Sequence, residues 1–150
     1  MGYLPIFVAL SGLVLLYSLY TKNQIIPKKT ALILVIDQMA KLSSERKNLI
    51  LTYDRANDNS VLNEVASDLM KTSTDRFQTF RIENELITKT NAAASNLSEE
   101  DKDLKTQILE LNQKQEEQLK QLALRAGQYN RFIKKAPTKF IASLFGYKSF

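Results

Sequence analysis

The chain has 150 residues, enough for one domain with an appendage, and it carries a net charge of +5 with no Cys and no His. Lack of Cys excludes disulfides, zinc–thiolate sites, iron–sulfur clusters and thiol nucleophiles. Lack of His removes the commonest general base, the usual haem ligand and the half-motifs of di-iron bundles, so no catalytic residue, metal or cofactor is expected. Four Gly and three Pro leave little material for β-turns, and the middle is rich in residues that favour helix, so the composition predicts an all-α fold.

The charge is unevenly spread. Residues 1–30 hold three basic side chains and no acidic one, residues 31–124 hold twelve and sixteen, and residues 125–150 hold six and none. A near-neutral to acidic middle with basic ends is not the pattern of a nucleic-acid binder.

The chain opens "MGYLPIFVALSGLVLLYSLYTKNQIIPKK", with no side-chain charge before Lys22. A helix over residues 3–20 would measure roughly 27 Å, most of a bilayer core. Tyr17 and Tyr20 fall where an interfacial aromatic belt belongs. A cleaved signal peptide usually has a basic n-region and a small-x-small cleavage site, and neither is present. A helix apolar all round is also hard to cover in so short a soluble chain. The expectation is an uncleaved transmembrane anchor and junction over residues 1–26. Lys22, Lys28 and Lys29 come after the span, so the positive-inside rule puts the N-terminus outside and the rest in the cytoplasm.

Pro27 is tolerated in a first helical turn, so a second helix is expected from there, nearly continuous with the anchor. Leu32, Val35, Met39, Leu42, Leu49 and Tyr53 form its apolar stripe, with Arg46 at the one missing position. The run from Leu32 to Ile36 is apolar on every face, as suits the vicinity of a membrane or a partner. "ANDNS" ends the segment and offers Asp58 or Ser60 as the next N-cap. Leu62, Val65 and Leu69 then share a face, "KTSTD" interrupts, and Phe77, Phe80 and Ile87 resume on a shifted phase. This stretch reads as one bent helix or as two short ones divided near Ser73 and Thr74.

"NAAASNLSEED" is a loop leading into a strong helix start, with Ser98 and Asp101 at capping-box spacing and Glu99 and Glu100 at the positive end of the helix dipole. Leu104, Ile108, Leu111, Gln115, Leu119, Leu122, Ala126, Tyr129 and Ile133 then keep one helical register, with Gln115 the only polar member. One polar position in an apolar seam more often sets register than performs chemistry. The expected fold is therefore an N-terminal transmembrane helix, an antiparallel bundle of three long helices over residues 27–135 (four if the second is broken), and a short basic amphipathic tail over residues 136–150. Three helices would leave the tail far from the membrane, and four would return it.

In the tail, Pro137 or Thr138 restarts structure, Phe140, Ile141, Leu144 and Phe145 fall on one helical face, and Gly146 is a plausible stop. Lys134, Lys135, Lys139 and Lys148 surround that face, and Tyr147 lies just beyond it. The expected partner- or lipid-binding residues are these four lysines with Phe140, Ile141, Leu144, Phe145 and Tyr147. The competing reading packs the apolar face on the bundle and leaves the lysines in water.

The closing stretch "YNRFIKKAPTKFIASLFGYKSF" resembles the end of LemA-family bacterial membrane proteins, in which a Tyr-Asn pair precedes a Pro-containing linker and an "IA-x-LFG-aromatic-K" ending. Tyr129, Asn130, Pro137, Ile141, Ala142, Leu144, Phe145, Gly146, Tyr147 and Lys148 match that pattern. "ALILVIDQMAKLSSERKNLI" is similar to the family's first soluble helix through Ile36, Asp37, Arg46, Leu49 and Ile50. The chain departs from the family where "LILTYD" stands in place of a Leu-Ile-Pro-Asn-Leu-Val run, and its middle is shorter. The resemblance implies a single span in the bacterial inner membrane and then a four-helix bundle, and it implies no chemistry.

Three functions compete. The first is a non-enzymatic, membrane-anchored scaffold whose bundle faces and basic aromatic tail meet a membrane protein or another copy of itself, without nucleic acid or a small-molecule substrate. The second is a membrane-surface module whose tail binds anionic lipid and organises the bilayer. The third is an enzyme, for which Glu83 with Glu85, or Glu116 with Glu117, supply carboxylates. Neighbouring positions on a solvated helix give such a pair neither a pocket nor a fixed separation.

Overall fold

The computed structural model describes residues 2–57, 60–72 and 77–150. All regular structure among the described residues is helical: α1 (Leu4–Ala56), α2 (Asn63–Lys71), α3 (Phe80–Ser95), α4 (Lys102–Lys134) and α5 (Thr138–Leu144), with a 3-10 turn at Glu99–Asp101 before α4. The anchor and the helix expected after it are one element, because Pro27 lies inside α1 without ending it. Proline has no N–H to offer the carbonyl of Asn23, so one rung is lost while the turns on either side continue.

The middle segment is two helices, and the single bent helix is excluded. Thr72 leaves the helical conformation (φ −94°, ψ 128°) and Thr79 is extended (φ −150°, ψ 157°) before α3. The hydroxyl of Thr79 accepts the Ile82 N–H at 3.3 Å, an N-cap that a mid-helix threonine cannot make. Ser73 and Thr74 lie outside the described residues. Of the two N-caps expected for the preceding helix, Asp58 is likewise outside them. Ser60 does not cap α2, which starts at Asn63, and donates its hydroxyl to Asp54 instead. The Ser98 hydroxyl also turns from the expected backbone cap and donates to the Asp101 carboxylate at 2.8 Å, which accepts the Tyr53 phenol at 2.7 Å.

The chain divides into two compact units. One comprises Met1–Ile33 with Ala123–Phe150, and the other comprises Leu34–Leu122. In the second unit the apolar positions of four helices meet: Ile50 of α1, Leu62, Val65 and Leu69 at α2, Leu86, Ala93 and Ala94 of α3, and Ile108 of α4 form one buried cluster. Each of the Val, Leu and Ile side chains removed from water contributes about 1.5–3 kcal/mol, which is why the register of these helices matches their apolar stripes. Lys47 donates to the Thr72 carbonyl at 3.2 Å, and Lys89 of α3 pairs with Asp68 of α2.

In the first unit, Thr21, Ile25 and Leu32 of α1, Ala126, Tyr129 and Ile133 of α4, and Ile141 and Ala142 of α5 are buried. Most of its α1 segment before Thr21 is not covered. From Tyr3 to Tyr20 every large apolar side chain except the half-buried Tyr17 is at least 55% exposed. By length and composition this part of α1 is long and apolar enough to cross a membrane.

Candidate functional site

The tail is folded and clamped. α5 ends in a Schellman motif: the Tyr147 N–H bonds the Ala142 carbonyl at 2.8 Å and the Gly146 N–H bonds that of Ser143 at 3.2 Å. The expected stop at Gly146 is met by its positive φ of 69°. Beyond that stop, the Tyr-Asn pair of α4 holds the last residues of the chain. Tyr129 donates its phenol to the Lys148 carbonyl at 3.2 Å, and Asn130 bonds both backbone groups of Phe150 at 2.9 and 3.1 Å. Burial, with Tyr147 nearby, holds the Tyr129 phenol above its ordinary pKa.

The same tail meets α1. The hydroxyls of Tyr17 and Thr138 are hydrogen-bonded at 3.1 Å. The ammonium groups of Lys22, Lys28 and Lys29 stand 6.0, 5.3 and 5.7 Å from the ring centroids of Phe145, Phe132 and Tyr147. These are cation–π distances, so all three lysines that come after the apolar stretch face aromatic rings from the chain's other end.

The nine residues expected to bind a partner or lipid do not act as one face. Phe140 (73% exposed) and Leu144 (77%) stand outward, one helical turn apart. Ile141, expected beside them, is turned inward with Ala142 and is buried, because residues one position apart on a helix differ by about 100°. Phe145 and Tyr147 are partly covered and carry the Lys22 and Lys29 contacts. Lys134, Lys135, Lys139 and Lys148 are exposed. One edge of this short helix is thus covered, as the packing reading expects, and the other is exposed.

Sequence reasoning missed a second constellation, in the other unit. Ser43, Arg46, Glu83, Thr90, Asn112 and Gln115 are all buried. Arg46 Nη1 donates to Asn112 Oδ1 at 2.8 Å, and Asn112 Nδ2 donates to Thr90 Oγ1 at 2.8 Å and Asn91 Oδ1 at 2.7 Å. Gln115 Nε2 donates to Ser43 Oγ at 3.0 Å and Glu83 Oε2 at 3.1 Å. Burial pushes the Arg46 guanidinium below its ordinary pKa, opposed by the charge of Glu83. Glu83 is therefore not the solvated carboxylate that its sequence neighbourhood suggested, and it does not share a setting with Glu85, which is exposed. The signal was present in α4: Ile108, Asn112, Gln115 and Leu119 also keep helical spacing, and two polar residues on a buried face require polar partners.

No family model, curated protein or solved structure matches the chain.

Proposed function

We propose that this chain is a non-enzymatic, single-pass membrane scaffold of LemA-like type, in which an antiparallel helical bundle and a folded C-terminal tail serve as docking faces at the bacterial inner membrane. One observation carries the reading: the large apolar side chains from Tyr3 to Tyr20, Tyr17 apart, are all exposed, with no protein core over them. Twelve such groups in water would form an apolar patch far larger than soluble monomers carry, whereas a bilayer supplies the missing solvent. The bundle is supported by the cluster shared among α1 to α4, and Pro27 does not end the helix that carries both the apolar stretch and the first bundle segment. A protein-facing surface is supported by Ile26 and Ile33, seven residues apart on one face of α1 and about half exposed.

The test is purification of the tagged chain from native membranes, beside a copy lacking residues 136–150 and an Ile26→Ser/Ile33→Ser copy. The chain should resist alkaline carbonate, leave the membrane only with detergent, and bring down a stoichiometric partner or a second copy that one variant loses. Release by carbonate would overturn the anchor, and recovery of a lone monomer in mild detergent would overturn the scaffold.

A further inference from the structure

The fold gathers both basic ends of the chain into one unit. Met1–Ile33 with Ala123–Phe150 contains three lysines from the first stretch, six basic residues from the second, and no acidic side chain. All sixteen acidic residues lie in the other unit. Within this cationic unit α5 has a definite level along α1. It begins beside Tyr17, through the Tyr17–Thr138 hydrogen bond, and ends near Lys22, whose ammonium faces Phe145. Tyr17 is in the last turn of the apolar stretch and Lys22 is its first charge. The interval between them is about 7.5 Å of helix rise, so α5 contacts α1 where the apolar stretch gives way to charge, the level at which interfacial helices lie. At that level Phe140 and Leu144 point away from the protein, with the exposed Lys135 and Lys139 flanking them.

We propose that α5 is a second membrane contact: a short interfacial helix that lays Phe140 and Leu144 into the leaflet around the base of α1 and sets its lysines among anionic headgroups. The proposal rests on the anchor reading above. It commits the outward edge of α5 to lipid rather than protein on two grounds, its level along α1 and the absence of any acidic side chain in the unit. A seven-residue helix binds membrane weakly by itself. Here it is already held at its start by Tyr17, through Thr138, and beyond its end by Tyr129 and Asn130, so the ordering that a free peptide would need has been done by the fold.

The experiment uses the full chain, whose lack of Cys lets single cysteines be introduced at Phe140, Leu144, Gln128 and Leu10, each carrying an environment-sensitive fluorophore. The labelled chains are reconstituted in phosphatidylcholine vesicles with and without phosphatidylglycerol and quenched with lipids bearing nitroxides at the headgroup or deep in the acyl chain. Labels at Phe140 and Leu144 should be quenched by the shallow nitroxide more than the deep one, more strongly with phosphatidylglycerol, and less so in a Lys135→Gln/Lys139→Gln background. Leu10 should be quenched by the deep nitroxide and Gln128 by neither. A quenched Leu10 with unquenched Phe140 and Leu144 overturns the interfacial helix and leaves that edge for a protein. An unquenched Leu10 overturns the anchor reading, and this inference with it.

Discussion

Arg46 occupies a core position of the α1 stripe, yet only one of its nitrogens is bonded: Nη1 reaches Asn112, while Nε and Nη2 have no partner. A buried cation held by a single neutral acceptor is a poor source of stability, because its desolvation is only partly offset. It is better understood as a constraint, since any slip of α4 by one turn removes Asn112 from its reach. The two partners should then respond unequally. Asn112→Ala leaves the guanidinium with no hydrogen bond and should cost about 3 kcal/mol, near the upper range for a bond to a charged group. In a Glu83→Gln background, where no buried carboxylate loses its nearby cation, Arg46→Met removes the charge and leaves one amide oxygen unpaired, which should cost about 1 kcal/mol. Thermal unfolding of the detergent-solubilised chain by circular dichroism gives the ranking, and a larger loss for Arg46→Met would show that the arginine stabilises the bundle outright.

Two glycines test the helices themselves, with opposite signs. Gly127 lies inside α4, exposed, with nothing within 4 Å of the place a Cβ would occupy. Gly127→Ala should stabilise by about 0.5–1 kcal/mol by limiting the unfolded chain. Gly146 also has open space around it, but its φ of +69° costs an L-residue about 1–2 kcal/mol, so Gly146→Ala should loosen the end of α5. Unfolding midpoints check the first, and amide exchange at Tyr147, whose N–H closes the Schellman motif, checks the second. The register of α4 was legible because nine seam positions agree on one face and all but the first and third are buried. The break between α2 and α3 was not, because a Ser/Thr/Asp run fits an exposed bend and a pair of caps equally well, and the choice falls to contacts such as Lys47 with Thr72. The tail showed a similar limit: spacing puts Phe140, Ile141, Leu144 and Phe145 within one arc, but only packing within the folded unit decides which edge of that arc is covered. The buried cluster around Glu83 was hidden because a carboxylate amid charged neighbours looks solvated until Ser43 and Gln115 are brought to it.

For the whole molecule, orientation depends on when charges act. The positive-inside rule weighs residues close to a span in sequence during insertion, so in the proposed topology Lys22, Lys28 and Lys29 would set the direction and the distant tail would not. Once folded, Lys135, Lys139 and Lys148 join the unit that holds those three, and the opposite topology would put the whole cationic unit against the outer leaflet. In the proposed topology, folding would therefore add lysines to a decision first taken with three. The expected arrangement has the N-terminus outside and α4 in the cytoplasm. Single cysteines at Gly2 and at Gln121, both exposed, report it in a chain with no other thiol. In spheroplasts a membrane-impermeant maleimide should label Gly2→Cys at once and Gln121→Cys only after lysis. The reverse pattern would mean that three lysines after the span do not hold it, and that the tail meets the outer leaflet.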